Sequence, residues 1–177
     1  SLNASFQGGR IQRIWQVDRT DLVFDIHAAG EDRFLLVSLF PLLNRLHAIR
    51  EKPAAPQTPP TFCMSLRKHL VGSRIVSLSA VPGERIVRLS TVKGDAAVDL
   101  LVELFGPAAN AYLLDGEGVV LDIFSLKKAE SRQMIRGARY APPPPPNLHP
   151  EMELRDFGPD PETFFELLNN QVALESE

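Results

Sequence analysis

The stretch IVRLSTVKGDAAVDLLVEL, residues 86–104, decides the predicted fold. Apolar and polar residues alternate in both of its halves, over 86–92 and over 98–104, and this period of two is typical of a β-strand with one buried face. Gly94 and Asp95 lie between the halves, where residues that tolerate positive φ close hairpins. The stretch therefore predicts two antiparallel strands joined by a tight turn.

The same alternation recurs elsewhere, so this hairpin does not stand alone. It covers residues 22–26, 76–80 and 119–124, and residues 34–37 form a run typical of a buried strand. Asp115-Gly116 marks a further turn. Roughly seven to nine short strands with one clear helix predict a mainly β, α+β fold, an antiparallel β-sandwich or open barrel, because parallel winding would need a helix after nearly every strand.

One core helix is predicted near residues 61–71, directly after a proline-rich loop over 50–60. Prolines supply no donors to a strand ladder, so this loop is expected at the surface. Thr61 is the predicted N-cap of the helix, and Gly72 is its predicted stop. Three apolar residues recur every four positions and share one helix face: Phe62, Leu66 and Leu70.

Charge divides the chain into two parts. Residues 1–146 carry 18 Lys and Arg against 14 Asp and Glu, a net charge of +4, whereas residues 147–177 carry one Arg against eight acids, a net charge of −7. The proline run over 142–146 is a stiff segment that separates units. We therefore predict a β-sandwich domain over 1–146 and the truncated start of a helix-hairpin-helix-type part over 147–177. Because the chain begins at Ser1 without an initiator methionine, we expect a fragment of a longer protein.

Several protein classes have no support in the sequence. Cys63 is the single cysteine, and neither an apolar run of about 18 residues nor a basic-then-apolar leader is found, so we expect a cytoplasmic protein with no membrane partner. A phosphate-cradling loop needs several glycines before a Lys-Ser or Lys-Thr pair, and none occurs. The four histidines share no metal-ligand spacing with Cys63 or a carboxylate. We predict no metal, no cofactor and no small-molecule substrate.

Two side-chain pairs suggest catalysis, and each has a simpler explanation. Cys63 and His69 resemble a nucleophile and a base, but a spacing of six places them on opposite faces of a helix, so we predict that Cys63 packs in the core. Asp99 and Glu103 point the same way from one strand and could form an acid/base couple. We predict instead that both lie on a solvated sheet face.

Basic residues are the strongest candidates for a binding role. Arg67 and Lys68 close the predicted helix, where positive charge either complements the helix dipole or contacts a ligand. Glu84-Arg85 follows a turn and opens a strand, which places the guanidinium at the rim of the sheet, within reach of phosphate. The stretch over 125–140 adds charge but no stacking aromatic before Tyr140. Its cations include Lys127, Lys128, Arg132 and Arg136.

Several motifs together resemble the N-terminal domain of the NFACT family. The strongest is PPTFCMSLRKHL, residues 59–70, and the resemblance extends over residues 8–146. The other motifs, in the family's order, are GGRI at 8–11, the stretch from Ser38 through Arg45 and His47, GERI at 83–86, residues 106–110 and GARYAPPP at 137–144.

This resemblance implies both a fold and a function. The fold would be a β-sandwich similar to the N-terminal domain of formamidopyrimidine-DNA glycosylases. Full-length members are ribosome quality control factors that also carry a helix-hairpin-helix part, a coiled coil and a C-terminal RNA-binding domain. They bind a large ribosomal subunit that still holds peptidyl-tRNA, recruit tRNA and support a C-terminal tail, alanine in bacteria, on the stalled chain. The expected partners are therefore tRNA and that subunit.

The resemblance also assigns site residues. The family's tRNA-contacting Asp-Arg pair falls on Glu84 and Arg85, so the arginine is kept and the acid is one methylene longer. The family's Gly-Arg-His-Ser-Asn string appears as GPAAN over 106–110, which loses the basic and imidazole donors. We predict that Arg85 positions tRNA by phosphate and shape contacts. Supporting RNA contacts are predicted from Arg45, His47, Arg67, Lys68, Lys127, Lys128, Arg132 and Arg136.

Two other functions are weighed against a non-catalytic RNA-binding module. A DNA glycosylase or lyase on the related fold needs an N-terminal amine beside a carboxylic acid, whereas Ser1-Leu2-Asn3 offers no acid there. A fibronectin- or fibrinogen-binding adhesin is the label of some family members, but no export signal is found. RNA binding is the leading hypothesis.

Overall fold

The computed structural model describes residues 1–144, which form nine β-strands, three α-helices and one 3-10 turn. The strands are β1 (Arg10–Gln16), β2 (Asp21–Ala28), β3 (Glu31–Ser38), β4 (Arg45–Ile49), β5 (Arg74–Ala80), β6 (Ile86–Lys93), β7 (Ala96–Glu103), β8 (Asn110–Asp115) and β9 (Val120–Ile123). The helices are α1 (Leu2–Phe6), α2 (Thr61–Leu70) and α3 (Leu126–Glu130), and the 3-10 turn covers Gly106–Ala108.

All nine strands belong to one antiparallel sheet in the order β4-β3-β2-β1-β5-β6-β7-β8-β9. Every neighbouring pair except β1 and β5 is consecutive in the chain. The register between β1 and β5 contains a single pair, Arg10 opposite Arg74. The sheet therefore consists of two meanders, β1–β4 and β5–β9, which meet at a narrow junction. β4 and β9 end the sheet and do not pair with each other, so the described sheet is not a closed barrel.

One hydrophobic core lies between the two meanders. Its fully buried side chains come from both, for example Phe24 and Leu35 from the first meander and Leu100 and Leu113 from the second. Full burial of such a side chain contributes about 1.5–3 kcal/mol, which makes this shared core the main source of stability. The predicted mainly β, α+β fold, with antiparallel strands in a sandwich or open barrel, is confirmed.

Helix α2 packs against β1 and β9. Its predicted apolar face is confirmed, because the three members are buried: Phe62, Leu66 and Leu70. The predicted N-cap is wrong, since Pro60 occupies that position without a side-chain hydrogen bond and Thr61 is the first helical residue. After the helix, Gly72 adopts a φ of +87°, where glycine is favoured, and its N–H donates to the Ile11 carbonyl over 2.8 Å.

Two strand details depart from simple alternation. A register shift in the β5–β6 pair follows Ile75, so Ile75 and Leu78 are buried whereas Val76 is 43% exposed. This departs from the alternation predicted over residues 76–80, which would place Val76 and Leu78 on one face. The turn after β8 forms as predicted, but its positive φ of +81° falls on Gly118 and not on Gly116. Neither α1 nor β4 was identified from the sequence pattern.

The outer face of the second meander is also covered. The segment over residues 126–140 packs there, and its Ala129 and Met134 contact a buried cluster that includes Leu101 and Tyr112. Strand β7 is therefore buried on both faces. Within residues 1–144, no helix is both long and apolar enough to cross a membrane. The predicted boundary at 146 and the helical part over 147–177 lie outside the described residues.

Candidate functional site

Loops from both meanders meet at one end of the sandwich, which we call the loop end. Leu39 donates its N–H to the Thr20 carbonyl over 2.9 Å and so joins two loops of the first meander. The loop end comprises the β1–β2 turn (17–20), the β3–β4 loop (39–44), the β5–β6 turn (81–85), the β7–β8 loop (104–109) and the start of α3.

Hydrogen bonds connect the two meanders across the loop end. The Asn44 side chain accepts from the N–H of Gly106 and donates to its carbonyl, which ties the β3–β4 loop to the β7–β8 loop. The N–H of Leu104 donates to the Arg85 carbonyl over 2.8 Å and brings in the β5–β6 turn. These bonds use backbone groups that lie outside the strand ladders, and they hold the loops in a defined arrangement.

The predicted pair Glu84-Arg85 lies in the β5–β6 turn. Arg85 is exposed and directly precedes β6, and Glu84 is half-buried with its N–H donating to the Val81 carbonyl over 3.1 Å. Val81 in turn packs against the outer hydrophobic cluster of the second meander. Arg85 therefore lies at the rim of the sheet, whereas contact of this pair with tRNA stays a prediction.

Arg45 and His47 lie at the start of β4, next to the β3–β4 loop. The Arg45 Nε donates to His47 Nε2 over 3.3 Å, and Nη1 is 3.5 Å from the Leu43 carbonyl. With Nε2 accepting, His47 donates from Nδ1 to the Ala48 carbonyl over 3.1 Å. Both side chains are half-buried on the same face of β4. Hydrogen bonds to His47 and to the Leu43 carbonyl therefore define the direction of the Arg45 guanidinium on this edge strand.

Lys127 and Lys128 lie in the first turn of α3. Lys127 is exposed, and Lys128 is half-buried with its Nζ donating to the Ala109 carbonyl over 2.9 Å. Asn110 fixes the start of this helix, because its side chain accepts from the Ser125 N–H over 2.9 Å and donates to the Ser125 carbonyl over 3.0 Å. The fold thus brings both lysines to the loop end, about 40 residues along the chain from the β5–β6 turn.

Arg132 lies at the same end but is engaged inside the protein. Its Nη1 donates to both carboxylate oxygens of Glu103, over 2.7 and 2.8 Å, and the Tyr140 hydroxyl donates to one of them over 2.8 Å. Glu103 is 1% exposed, so the prediction that it lies on a solvated sheet face is wrong. Burial and the negative charge of Glu103 together raise the pKa of Tyr140 far above its ordinary value, which keeps the hydroxyl protonated as a donor.

The remaining predicted cations collect around α2. Arg67 is half-buried, and its Nε donates to the Ile14 carbonyl over 2.7 Å. Arg136 bonds to the Asp122 carboxylate of β9, with Nε at 2.9 Å and Nη2 at 2.7 Å. Burial opposes ionisation of Asp122, but hydrogen bonds from Ser65, a backbone N–H and Arg136 outweigh it and lower the pKa of that carboxyl. This second group, with the exposed Lys68, is distinct from the loop end.

The basic residues named from the sequence therefore fall into two separate groups in the structure, a division that the sequence pattern does not predict. The structure brings together at the loop end Arg45, His47, Glu84, Arg85, Lys127, Lys128 and Arg132, and around α2 it brings together Arg67, Lys68 and Arg136. Contact of any of these residues with RNA stays a prediction.

Cys63 is a core residue, as predicted. It is fully buried, its Sγ lies 3.8 Å from the Ile14 carbonyl, and burial raises the pKa of the thiol, which disfavours the nucleophilic thiolate. His69 is half-buried, and burial together with the adjacent charge of Lys68 lowers its pKa. Within residues 1–144, no three His, Cys, Asp or Glu side chains are placed to hold a metal ion.

Exposed apolar side chains in the β3–β4 loop were missed by sequence reasoning. Phe40 is 46% exposed, Leu42 is 86% exposed and Leu43 is 58% exposed. The loop is nevertheless ordered by its own bonds, since Leu43 donates its N–H to the Phe40 carbonyl over 3.0 Å and the Asn44 amide donates to the same carbonyl over 2.6 Å. The signal available in the sequence was the run Phe40-Pro41-Leu42-Leu43, too short and irregular for a strand.

The fold and this end surface define a two-meander β-sandwich domain with cations gathered where its loops meet. The chain belongs to the NFACT family, because the family described as "NFACT N-terminal and middle domains" matches residues 1–173. The predicted family membership is therefore confirmed.

Similar proteins are named as ribosome quality control proteins. The chain is 34% identical over 152 residues to the Rqc2 homolog RqcH of Bacillus subtilis, a match that spans 81% of this chain and 27% of that protein. It is 29% identical over 130 residues to the human ribosome quality control complex subunit NEMF, across 73% of this chain and 12% of that protein. The chain thus spans less than a third of these relatives.

Solved structures of similar domains are named as fibronectin- or fibrinogen-binding proteins. The N-terminal domain of the fibronectin-binding protein PavA from Streptococcus pneumoniae matches with a TM-score of 0.75 and 29% identity, over 95% of this chain and 64% of that one. The N-terminal part of the fibronectin/fibrinogen-binding protein from Streptococcus suis matches with a TM-score of 0.74 and 27% identity, over 93% of this chain and 63% of that one.

Proposed function

We propose that this chain is the RNA-binding N-terminal part of a cytoplasmic ribosome quality control factor, without a catalytic activity of its own. Its partners are tRNA and the obstructed large ribosomal subunit that carries peptidyl-tRNA. The domain helps to hold tRNA while a C-terminal tail, alanine in bacteria, is added to the stalled chain. The proposal covers binding and positioning only.

The gathering of cations from three separate chain segments at the loop end is the observation that carries this proposal. Arg85 comes from the β5–β6 turn, Arg45 from the start of β4, and Lys127 and Lys128 from α3. Glu103 already neutralises Arg132, so that residue adds little to the outward field. Exposed and half-buried cations held on one scaffold suit the regularly spaced phosphates of a folded RNA.

The Glu84-Arg85 pair supports the proposal more specifically. A guanidinium offers five donors in a fixed fork that matches phosphate oxygens, and Arg85 opens a strand at the rim, where a folded RNA can approach. Glu84 is half-buried beside it, where a carboxylate can accept from a ribose hydroxyl or a base amine. The pair can therefore combine one phosphate contact with one polar contact to a ribose hydroxyl, which DNA lacks, or to a base amine.

Co-sedimentation of the full-length protein with large ribosomal subunits tests the proposal. We expect the protein to pellet with subunits that carry peptidyl-tRNA and to remain in the supernatant with empty subunits. Arg85→Ala should weaken the association, whereas the matched control Arg74→Ala, an exposed arginine at the opposite end of β5, should leave it intact. Equal pelleting with both kinds of subunit would contradict the proposal.

Binding of a host matrix protein is the second candidate function, favoured by the names of the two similar solved structures. Surface plasmon resonance with immobilised fibronectin separates it from the first. Saturable binding of fibronectin without binding of tRNA would favour the adhesin. The enzyme alternative is tested by incubating the intact protein with damaged duplex DNA, where strand cleavage would favour a glycosylase or lyase.

A further inference from the structure

The point where the chain leaves the β-sandwich is held by a polar cluster, which we call the exit clamp: the buried Glu103 and Tyr112 and the half-buried Arg132 and Tyr140. Nη1 of Arg132 donates hydrogen bonds to both carboxylate oxygens of Glu103, and Nη2 donates to the carbonyl of Ala141. The Tyr140 hydroxyl donates a further hydrogen bond to one of these Glu103 oxygens. One side chain thus joins the end of β7 to the residue that precedes the proline run.

The aromatic rings restrict the guanidinium further. Arg132 lies 5.7 Å from the ring centre of Tyr112 and 6.0 Å from that of Tyr140, and the two rings meet edge to face with centres 5.3 Å apart. Contact with both rings leaves the planar guanidinium little rotational freedom. The direction in which Arg132 donates to Ala141 is therefore determined by its contacts with Glu103 of β7 and Tyr112 of β8.

Within residues 1–144, Tyr140 makes the last backbone hydrogen bond along the chain. Gly137 donates to the Val120 carbonyl over 2.8 Å, and Tyr140 donates to the Gly118 carbonyl over 2.9 Å. The following residue, Ala141, is exposed and is held by Arg132. Residues 142–144 are prolines, which have no N–H to donate, so in the described part of the chain the exit clamp is the last tether before the proline run.

A buried ion pair is a poor source of stability, because desolvation of the two charges offsets their attraction and apolar residues of similar volume would serve as well. Its bonds are directional, however, and an apolar cluster would not orient the Ala141 carbonyl. We infer that the exit clamp sets the direction in which the chain leaves the β-sandwich at Ala141. Glu103 and Arg132 then act as positioning residues, a role separate from RNA contact.

Distance measurements between spin labels in the full-length protein test this inference. Labels are placed at Asp95→Cys, in the exposed β6–β7 turn, and at Glu153→Cys, beyond the proline run, with the buried Cys63 replaced by alanine. Arg132→Gln removes the guanidinium that bonds Ala141, and Glu103→Leu combined with Arg132→Met replaces the ion pair with apolar side chains. Freeing one or two residues of chain adds a displacement of about 5–8 Å, so we expect both variants to broaden the distance distribution by at least that order.

Arg136→Gln is the matched control, because it breaks an ion pair on the same covering segment that does not reach Ala141. It should leave the distribution as narrow as in the parent protein. Thermal melts establish that each variant is folded, and the double variant carries the test if Arg132→Gln does not fold. Unchanged widths in the folded double variant, or a parent distribution already as broad as that of the variants, would overturn the inference. No RNA is present in this measurement, so its outcome is independent of the proposed function.

Discussion

Replacing Arg85 with alanine removes one exposed guanidinium from the loop end while leaving its hydrogen-bonded backbone in place. The Arg85 carbonyl accepts from Leu104, and alanine preserves that bond. The side chain lies outside both hydrophobic clusters. We therefore expect the variant to keep its hydrophobic core, which a thermal melt checks, and to differ in its affinity for RNA.

The size of the effect follows from the number of cations that the loop end presents. Arg45, Arg85, Lys127 and Lys128 are exposed or half-exposed, whereas Arg132 is omitted because Glu103 neutralises it. Four phosphate contacts predict a slope of about −3.6 for the logarithm of the association constant against the logarithm of salt concentration, and three predict about −2.7. At about 0.1 M salt, one contact corresponds to roughly an eight-fold change in affinity.

Titration of fluorescent tRNA with the full-length protein between low and moderate salt measures both quantities. Other parts of the protein add a constant amount to the slope, so the difference between variant and parent is the informative value. Arg74→Ala controls for loss of one exposed arginine, and Arg132→Gln controls for loss of a cation that is already paired. If Arg85→Ala showed the parent's slope and affinity, or if Arg74→Ala reduced the slope equally, phosphate contact by Arg85 would be refuted.

Three further predictions concern stability. Glu103→Ala should lower the free energy of unfolding by about 3–5 kcal/mol because it leaves the largely buried Arg132 charge without its carboxylate partner, and Glu103→Leu combined with Arg132→Met should recover most of that loss in urea titrations. Asp25 has one buried carboxylate oxygen without a hydrogen bond, and burial followed by the charge of Asp32 raises its pKa. As pH rises, the carboxyl therefore ionises in the unfolded chain before it ionises in the folded protein. Asp25 consequently destabilises the fold as pH rises from its ordinary pKa of 3.8 through the raised folded value. Asp25→Asn should raise the melting temperature at neutral pH but not below pH 3.8. Leu66→Ala should cost about 2–5 kcal/mol by opening a cavity between α2 and the sheet, and an effect below about 1 kcal/mol in the same titrations would contradict its placement in the core.

The strands and the main helix were predictable because their signals are local. Alternation over 86–104 and the four-residue spacing on α2 depend on neighbours in the sequence, and both elements form as expected. The exposure of Val76 was not predicted, because a bulge displaces the alternation by one residue and nothing in the sequence marks the bulge. Thr61 was the expected N-cap because of its hydroxyl, but the prolines before it place the helix boundary one residue earlier.

The candidate site shows where sequence reasoning reaches its limit. Glu103 alternates with apolar neighbours as a solvated residue would, but the segment over 126–140 returns from about 30 residues away and buries it. The same return brings Lys127 to the loop end and engages Arg132 internally. Local patterns identify basic residues, whereas the outward or inward direction of each one depends on tertiary contacts that a pattern does not contain.

The order of strands in the sheet has a consequence for how the chain folds. Seven of its eight neighbouring pairs join strands that follow each other in sequence, so each meander can assemble hairpin by hairpin with little loop-closure entropy. The exception is the short ladder around Arg10 and Arg74, which must close a loop of more than 60 residues. We expect this closure, together with docking of α2, to limit the folding rate. Substitutions at the junction should therefore slow refolding, whereas those within one meander should mainly speed unfolding.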